Sequence, residues 1–319
     1  MSQSRTLFIG MDVHTDASAV ASVAHDYGAE VISLGSIGTR LCAIDQRIRQ
    51  MPSKATPLLF VSETGPCGSW LYRSRSTQEH DCWVVAPSRI PTKPGERVKT
   101  ERRAAVPRAR RARSSALTPV SVPKVAEEAI RDLTRAREDT ISDLQDATCR
   151  LQACWLRQDI RYGGRAHGGP AHLRWRSAVV CPTPAQHIVL QEYGRAVHAH
   201  TERLQRLEQA LQDHVNAWRL HPGVEARQAL RGGQCTVAVT MVAAMGALTR
   251  CDTPRARRQC LGRIPSEYAS GAQRRQGSLT QVGTTHARQA VVEGAWVSRS
   301  PAQGSRHRHL RREKHPKMI

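Results

Sequence analysis

Three acidic residues have positions that suit the binding of metal ions. Asp12 and Glu63 each end a short apolar run, so both are expected at the ends of buried strands. If those strands are neighbours in one sheet, the two carboxylates converge at one edge, and Glu101 from a later helix is the candidate third acid. Mg²⁺ prefers carboxylate oxygens, and a pair of such ions supports phosphodiester chemistry. The alternative interpretation is that each acid is an ordinary turn residue.

A candidate nucleophile lies much later in the sequence. Ser270 stands between Ala269 and Gly271, in a patch whose residues favour turns. A serine in such a turn has an accessible Oγ, and the nearby guanidinium groups of Arg274 and Arg275 can hold a phosphate. Most Ser-Gly pairs are simply turns, so the spacing alone leaves both interpretations open.

The charge balance points to a polyanionic partner. The 319 residues include 48 Lys and Arg but only 27 Asp and Glu, so the formal net charge is +21. Such a surplus favours nucleic acid or an anionic membrane surface as the partner. Most of the basic residues are arginines, which bind phosphate well but which a GC-rich genome also favours, and both explanations stay open. The candidate phosphate-binding residues are Lys99, Arg102, Arg103, Arg274, Arg275 and Arg288.

Composition excludes several other classes of protein. No apolar run approaches the length of a membrane span, and the first residues lack a secretory pattern, so a cytoplasmic protein without membrane contact is expected. The nine cysteines are odd in number and form no CxxC pair, which argues against a disulfide framework or a zinc ribbon. Aromatic residues make up 4%, too few for a platform on which single-stranded nucleic acid would stack.

The first part of the chain alternates between strand and helix patterns. Residues 5–86 give the order β-β-β-α-β-α-β, with an antiparallel meander first and parallel strands added through helices. This order predicts the ribonuclease-H-like fold. Residues 89–123 are rich in Arg and Pro, and Pro107 is expected to kink or end a helix over 98–114.

The remainder is predicted to be mainly helical. Long polar helices are expected over 124–160 and 186–219, with a loop over 162–176 between them. A seven-residue repeat in the second helix predicts either an antiparallel helical hairpin or a coiled coil that dimerises. Residues 221–296 have the pattern of a compact helical region, and 297–319 that of a disordered basic tail. The repeat residues are Leu190, Val197, Leu204, Leu211 and Trp218.

Short motifs that follow one another along the chain carry a family resemblance. They are IGMDVH from residue 9, SETGPCG from 62, VVAPS from 84, KPG from 93, RVKTERR from 97, PSEYASG from 265 and HAR from 286. The chain resembles insertion-sequence transposases with an N-terminal DEDD, RuvC-like domain and a C-terminal serine domain. These are the bridge-RNA-guided recombinases, related to Piv-type invertases, and the resemblance covers residues 5–298.

The resemblance, together with the element pattern, implies an α/β plus α architecture of four parts. They are a RuvC-like domain over 1–120, a helical, coiled-coil-like region over 121–220, a helical serine domain over 221–298 and a basic tail over 299–319.

The resemblance also implies a mechanism. Asp12, Glu63 and Glu101 would bind Mg²⁺, and Ser270 would attack a DNA phosphodiester to form a covalent phosphoserine link. A structured guide RNA would pair with double-stranded DNA of the element ends and the target. A homo-oligomer, dimer or tetramer, would assemble composite sites from different subunits, in the bacterial cytoplasm at the nucleoid.

The chain departs from the family's pattern at several of these positions. The family's third acid is an aspartate where this chain has Glu101, and its fourth is replaced by Ala104, which cannot bind a metal. Near the serine, Gln273 and Gln281 stand where the family has lysines.

Three hypotheses follow from the sequence. The first is a DNA transposase and recombinase, either active or with its cutting activity weakened by these changes. The second is a catalytically decayed protein that binds nucleic acid without cleaving it. The third, a structural coiled-coil protein, rests on the heptads alone and leaves the acids at the strand ends unexplained.

Overall fold

A computed structural model of the chain gives two compact units, Met1–Pro123 and Lys124–Ile319, which we call the N-terminal and C-terminal units. Among the described residues, no helix is both long and apolar enough to cross a membrane. The four-part division expected from the sequence stays a prediction. The described residues are 6–26, 28–50, 57–65, 67–90, 101–164, 168–246, 253–271, 273–301, 310 and 313.

A mixed five-stranded sheet lies at the centre of the N-terminal unit. The elements are β1 (Leu7–Val13), β2 (Ala17–Ala24), β3 (Ile32–Gly38), α1 (Leu41–Arg49), β4 (Leu58–Glu63), α2 (Gly68–Thr77), β5 (Asp81–Val85) and α3 (Glu101–Arg113). The strand order is β3-β2-β1-β4-β5, with β1, β2 and β3 antiparallel and β1, β4 and β5 parallel. The element order up to β5 agrees with the one predicted, while the assignment to the ribonuclease-H-like fold stays a prediction.

Alternation along the strands divides the core into two layers. Phe8 of β1 and Val61 of β4 pack against α3 on one face of the sheet. Ile9 of β1 and Phe60 of β4 pack on the other face, with apolar residues of α1 and α2. Because successive side chains of a strand point to opposite faces, a sheet covered on both sides needs strands that are apolar throughout. This requirement explains the continuous apolar runs in the sequence.

Helix α3 runs through Pro107, so of the two predicted effects the end of the helix is wrong, while a kink stays a prediction. Its buried face carries Ala105, Ala109 and Ala112, which have the spacing of one side of a helix. A proline inside a helix removes one backbone hydrogen bond and costs about 3 kcal/mol. The helix continues because the packing of this face against the sheet offsets that cost.

The packing of α3 on β1 requires a glycine at position 10. A Cβ built on Gly10 would lie 2.3 Å from the carbonyl oxygen of Ala105 and 2.6 Å from the amide nitrogen of Ala109. Both are backbone atoms of α3, so a side chain at this position would push the helix away from the sheet.

Long helices and a β-hairpin make up the C-terminal unit. The elements are α4 (Val125–Leu156), α5 (Pro170–Ala178), α6 (Pro184–Asn216), α7 (His221–Gln228), α8 (Cys235–Met245), α9 (Pro254–Cys260), β6 (Pro265–Ser270), β7 (Gln273–Leu279) and α10 (Thr285–Trp296). Two expectations are corrected. The predicted loop over 162–176 contains most of α5, and the region predicted as helical contains the antiparallel β6–β7 hairpin.

The α4 and α6 helices form the predicted antiparallel hairpin. Arg137 of α4 lies 2.6 Å from Glu208 of α6, and Asp143, further along α4, lies 3.8 Å from Arg203, earlier in α6. Trp218, which follows α6, packs into one core with apolar residues of α8. Dimerisation through these helices stays a prediction.

Replacing Gly10 with alanine should destabilise the N-terminal unit by about 3 kcal/mol, because the added methyl group overlaps the α3 backbone. The measurement is urea unfolding, with hydrogen–deuterium exchange of β1 and α3 peptides to localise the effect. Gly28→Ala is the matched control, since a Cβ there has no heavy atom within 4 Å. Equal stability of the two variants would contradict the packing of α3 on β1.

Candidate functional site

Two of the predicted acids lie side by side on the face of the sheet that α3 covers. β1 and β4 are parallel neighbours, and Gly10 lies beside Val61 in their register. Asp12 and Glu63 come two residues later on their strands, and the period of two puts their side chains on that same face. Asp12 is 8% exposed and Glu63 is half-buried. The strands therefore bring these two carboxylates together.

A buried arginine joins the two carboxylates. The Nη1 of Arg108, from α3, donates to Oδ1 of Asp12 at 2.8 Å and to the carbonyl oxygen of Met11 at 3.2 Å. Its Nη2 donates to Oε2 of Glu63. The Arg108 side chain is only 4% exposed, so its guanidinium group is enclosed between the acids and the helix.

The second oxygen of Asp12 faces a histidine at the surface. The Nε2 of His14 lies 3.3 Å from Oδ2 of Asp12, and the His14 side chain is 54% exposed. Both oxygens of Asp12 therefore have a nitrogen partner from the protein, one buried and one at the solvent boundary.

The described residues around the acid pair do not fit a Mg²⁺ site. Mg²⁺ takes about six oxygen ligands at roughly 2.1 Å, whereas the N–H groups of Arg108 point at both carboxylates. Ala104, one helical turn before Arg108, carries no ligand atom. In the part of the chain that the structure describes, no group of three His, Cys, Asp or Glu side chains could hold a metal ion.

For four predicted residues the structure describes no side chain. Lys99 lies in an undescribed segment, and Glu101, Arg102 and Arg103 are described only as the helical backbone that begins α3. The metal-binding role of Glu101 and the phosphate-binding roles of the three basic residues stay predictions.

Ser270 is the last residue of β6, at the tip of an exposed hairpin. It pairs with Gln273, the first residue of β7, and the intervening Gly271 has a φ of +57°. Both strands are exposed along their whole length. The serine hydroxyl therefore lies where a large polymer can reach it.

The two arginines near the serine lie on opposite faces of this hairpin. Tyr268 pairs with Arg275 across the strands, and Ala269 pairs with Arg274. Since paired residues share a face and successive residues alternate, Ser270 shares its face with Tyr268 and Arg275. Arg274 lies on the other face.

Arg274 already has a carboxylate partner. Its Nε lies 2.8 Å from Oε1 of Glu267, and its Nη2 donates to Oε2 of the same residue at 2.8 Å. The hydrogen bond from Arg274 lowers the pKa of the Glu267 carboxyl group. Arg275 has no such partner among the described residues, so it is the arginine available to a phosphate beside Ser270.

Two glycines and Arg288 fix the base of the hairpin. Gly262 and Gly283 have φ values of +61° and +94°, and a Cβ on either would lie within 2.4 Å of a carbonyl oxygen. The Nη1 of Arg288, from α10, donates to the carbonyl oxygen of Gln281 at 2.8 Å and lies 3.3 Å from that of Val282. Arg288 thus holds the segment after β7, and its predicted phosphate contact stays a prediction.

Sequence analysis missed Arg108, although a signal for it exists. Residues 105, 108, 109 and 112 have the spacing of one helix face, and all but the second are alanine. An arginine within an alanine face is buried when the helix packs on a sheet, and a buried arginine needs anionic partners. The abundance of arginine in this segment hides the position from a count of charges.

The described cysteines form no disulfide bonds, and the thiol on β5 is unreactive. Every cysteine in the described residues has a free thiol. Burial raises the pKa of the Cys82 thiol, on β5, to about 12. This thiol is therefore protonated and unreactive at neutral pH.

Comparison with known proteins decides the family. The family model described as "Transposase IS116/IS110/IS902 family" matches residues 228–310. The "Putative transposase y4qE" of Sinorhizobium fredii is 34% identical over 297 residues, which is 93% of this chain and 73% of that protein. The chain belongs to the IS116/IS110/IS902 family of transposases.

A second relative of the transposase covers nearly the whole chain. The "Transposase for insertion sequence element IS1533" of Leptospira borgpetersenii is 23% identical over 321 residues, which is 99% of this chain and 92% of that protein. The region matched by the family model includes α8, α9, the β6–β7 hairpin with Ser270, and α10. The resemblance inferred from the motifs is confirmed at the level of the transposase family.

Arg288→Ala should raise the amide exchange rates of residues 262–283 in the transposase roughly tenfold, because it removes a charged donor from the carbonyl groups that close the hairpin. Hydrogen–deuterium exchange measures this effect. Arg275→Ala is the control, since that arginine is exposed within the hairpin itself. Unchanged exchange in the Arg288 variant would mean that the base does not depend on this side chain.

Proposed function

We propose that this transposase cleaves and rejoins double-stranded DNA at the ends and the target of its insertion sequence, with Ser270 as the nucleophile. The observation that carries the proposal is the position of Ser270 at the tip of an exposed hairpin, inside the region that matches the family. Membership of the family supports DNA as the substrate.

The serine chemistry exchanges one phosphodiester for another. Oγ of Ser270 attacks a DNA phosphorus atom, an O–P bond forms, and a P–O bond of the strand breaks. The serine proton ends on the strand hydroxyl that leaves. Because the covalent phosphoserine link keeps a phosphodiester, the strand is rejoined by the reverse reaction with a new hydroxyl group.

Arg275 is the residue that holds the phosphate under attack. It lies on the same face of the hairpin as Ser270 and two residues after Gln273, the residue that pairs with the serine. A guanidinium group offers parallel N–H donors to phosphate oxygens and stabilises the charge that grows on them during attack. Arg274, held by Glu267 on the opposite face, contributes positive charge without that geometry.

The net charge of +21 supports nucleic acid as the partner of the whole chain. The helix α9, which precedes the hairpin, adds Arg255, Arg257 and Arg258 to the basic residues of the C-terminal unit. A structured guide RNA, assembly as a homo-oligomer and the ribonuclease-H-like nature of the N-terminal unit belong to the proposal through the family resemblance. The element order of the N-terminal sheet supports the last of these.

Mg²⁺ has no step in this proposal. The resemblance assigns the ion to Asp12, Glu63 and Glu101, but the described contacts of the first two are made with Arg108 and, for Asp12, also with His14. The roles proposed for Ser270 and Arg275 use side chains of the protein alone.

One observation favours a second function, the binding of DNA and RNA without cleavage. Arg108 bridges the acid pair, and Ala104 supplies no ligand at the neighbouring turn of α3. If the acids are needed for catalysis, this arrangement leaves a protein that recognises its element but does not cut it.

Ser270→Ala should abolish the covalent protein–DNA adduct and leave DNA binding unchanged, because only the attacking oxygen is removed. The measurement is a denaturing gel of the full chain mixed with labelled element-end and target duplexes and with RNA transcribed from the element. Ser278→Ala, in the partner strand, is the matched control and should keep the adduct.

The outcomes of this assay separate the two functions. An adduct in the unmodified protein that the Ser270 variant loses supports cleavage. An adduct that survives in the Ser270 variant excludes the serine as nucleophile. Tight, salt-dependent DNA binding without any adduct identifies the binding function instead.

Arg275→Ala should slow adduct formation about a hundredfold, whereas Arg274→Ala should slow it less than about fivefold, because one guanidinium faces the phosphate and the other faces Glu267. Single-turnover rates of adduct formation measure the difference. Equal effects of the two substitutions would mean that the face of the hairpin does not select the phosphate ligand.

A further inference from the structure

Two carboxylates on one face of a sheet need a positive charge between them. The side chains of Asp12 and Glu63 are only 11% and 20% exposed, and they lie on adjacent parallel strands. Two like charges with so little water around them repel strongly, and a cation between them relieves that repulsion. That cation can come from solution or from the protein.

In this chain the cation comes from the protein. The guanidinium group of Arg108 carries a permanent charge in a planar fork that matches carboxylate oxygens. One nitrogen donates to Asp12 at 2.8 Å and the other donates to Glu63. The contact with the carbonyl oxygen of Met11, at 3.2 Å, fixes the fork against β1.

The helix that carries Arg108 holds the cation in place. Ala105 and Ala109, on the same face of α3, are buried against the sheet, and Gly10 lets the helix backbone approach β1. Arg108 cannot leave the acids through solvent unless α3 lifts from the sheet. The counter-ion is therefore part of the fold and does not exchange with ions in solution.

We propose that Arg108 takes the place of a divalent metal ion at Asp12 and Glu63, so that the N-terminal unit is stable without such an ion and binds none at this site. The acid pair then serves to fasten α3 to β1 and β4. The inference does not depend on the chemistry of Ser270, and its readouts are stability and metal binding, so its failure is distinguishable from failure of the proposed function.

The first test compares the unmodified full chain with Asp12→Asn in the presence of Mg²⁺ or Mn²⁺. Scanning calorimetry should give the unmodified chain a midpoint that changes by less than about 1 °C at about 10 mM MgCl₂, relative to NaCl of equal ionic strength. Electron paramagnetic resonance should show no bound Mn²⁺ that the Asp12 substitution removes. A midpoint rise or bound Mn²⁺ that is lost in Asp12→Asn would overturn the proposal.

The second test removes the internal cation with Arg108→Leu. Without metal, the midpoint of the N-terminal unit should fall by about 10 °C, because two enclosed carboxylates are left without a counter-charge. About 10 mM Mg²⁺ should restore roughly 5 °C of that loss, and bound Mn²⁺ should appear. Arg110→Leu, on the exposed face of α3, is the matched control and should show neither effect.

Two further variants keep the proposal falsifiable. Ala104→Asp combined with Arg108→Leu adds a third carboxylate one turn away and should strengthen the Mn²⁺ signal. Arg108→Lys keeps a positive charge and should stay independent of divalent ions. An Arg108→Leu protein that is as stable as the unmodified chain and gains no response to divalent ions would overturn the proposal, and if that variant does not fold, the first test decides.

Discussion

The N-terminal unit depends on the neutralisation of two enclosed carboxylates by one enclosed guanidinium group. Asp12 and Glu63 share a face of the sheet because each lies two residues after Gly10 or Val61, which are paired, and residues two apart on a strand point to the same face. Arg108 reaches both only because α3 lies flat on that face, and α3 lies flat only because Gly10 has no side chain. The electrostatic requirement and the packing requirement therefore fix the same helix at the same place. The continuation of α3 through Pro107 follows from this double constraint.

The hairpin that carries Ser270 is built on the opposite principle. Neither of its faces is buried, and a two-stranded hairpin gains little stability from its own backbone hydrogen bonds. Its order is imposed from the base, where Gly262 and Gly283 admit close backbone contacts and Arg288 holds the carbonyl groups after β7. The role proposed for Ser270 fits this design, because the tip stays open on every side while its two ends are fixed.

The sequence predicts those helices and strands whose hydrophobic pattern matches the burial of their faces in the structure. Continuous apolar runs identify the strands of the N-terminal sheet. The seven-residue repeat in the second long helix leaves a helical hairpin and a dimerising coiled coil open, and the structure has the α4–α6 hairpin. The β6–β7 hairpin is not predicted because both of its faces are exposed. Its strands therefore show no alternation of apolar and polar residues, and their sequence resembles that of turns. The course of α3 is not predicted, because the rule that proline ends a helix is local. The packing of α3 on the sheet, which no local pattern shows, outweighs that rule. Of the candidate site, the convergence of Asp12 and Glu63 is predictable from strand order, whereas Arg108 is not found by counting charges.

A family name and the chemistry of a site are separate kinds of information in this transposase. The family model matches residues 228–310 and so speaks for the region of the serine hairpin, not for the acid pair. At the acid pair, the guanidinium group of Arg108 lies between the carboxylates of Asp12 and Glu63. A guanidinium group can hold β1, β4 and α3 together, but it offers no open coordination position to a phosphate or a water molecule. The contacts that hold β1, β4 and α3 together at the acid pair are therefore made by protein side chains alone.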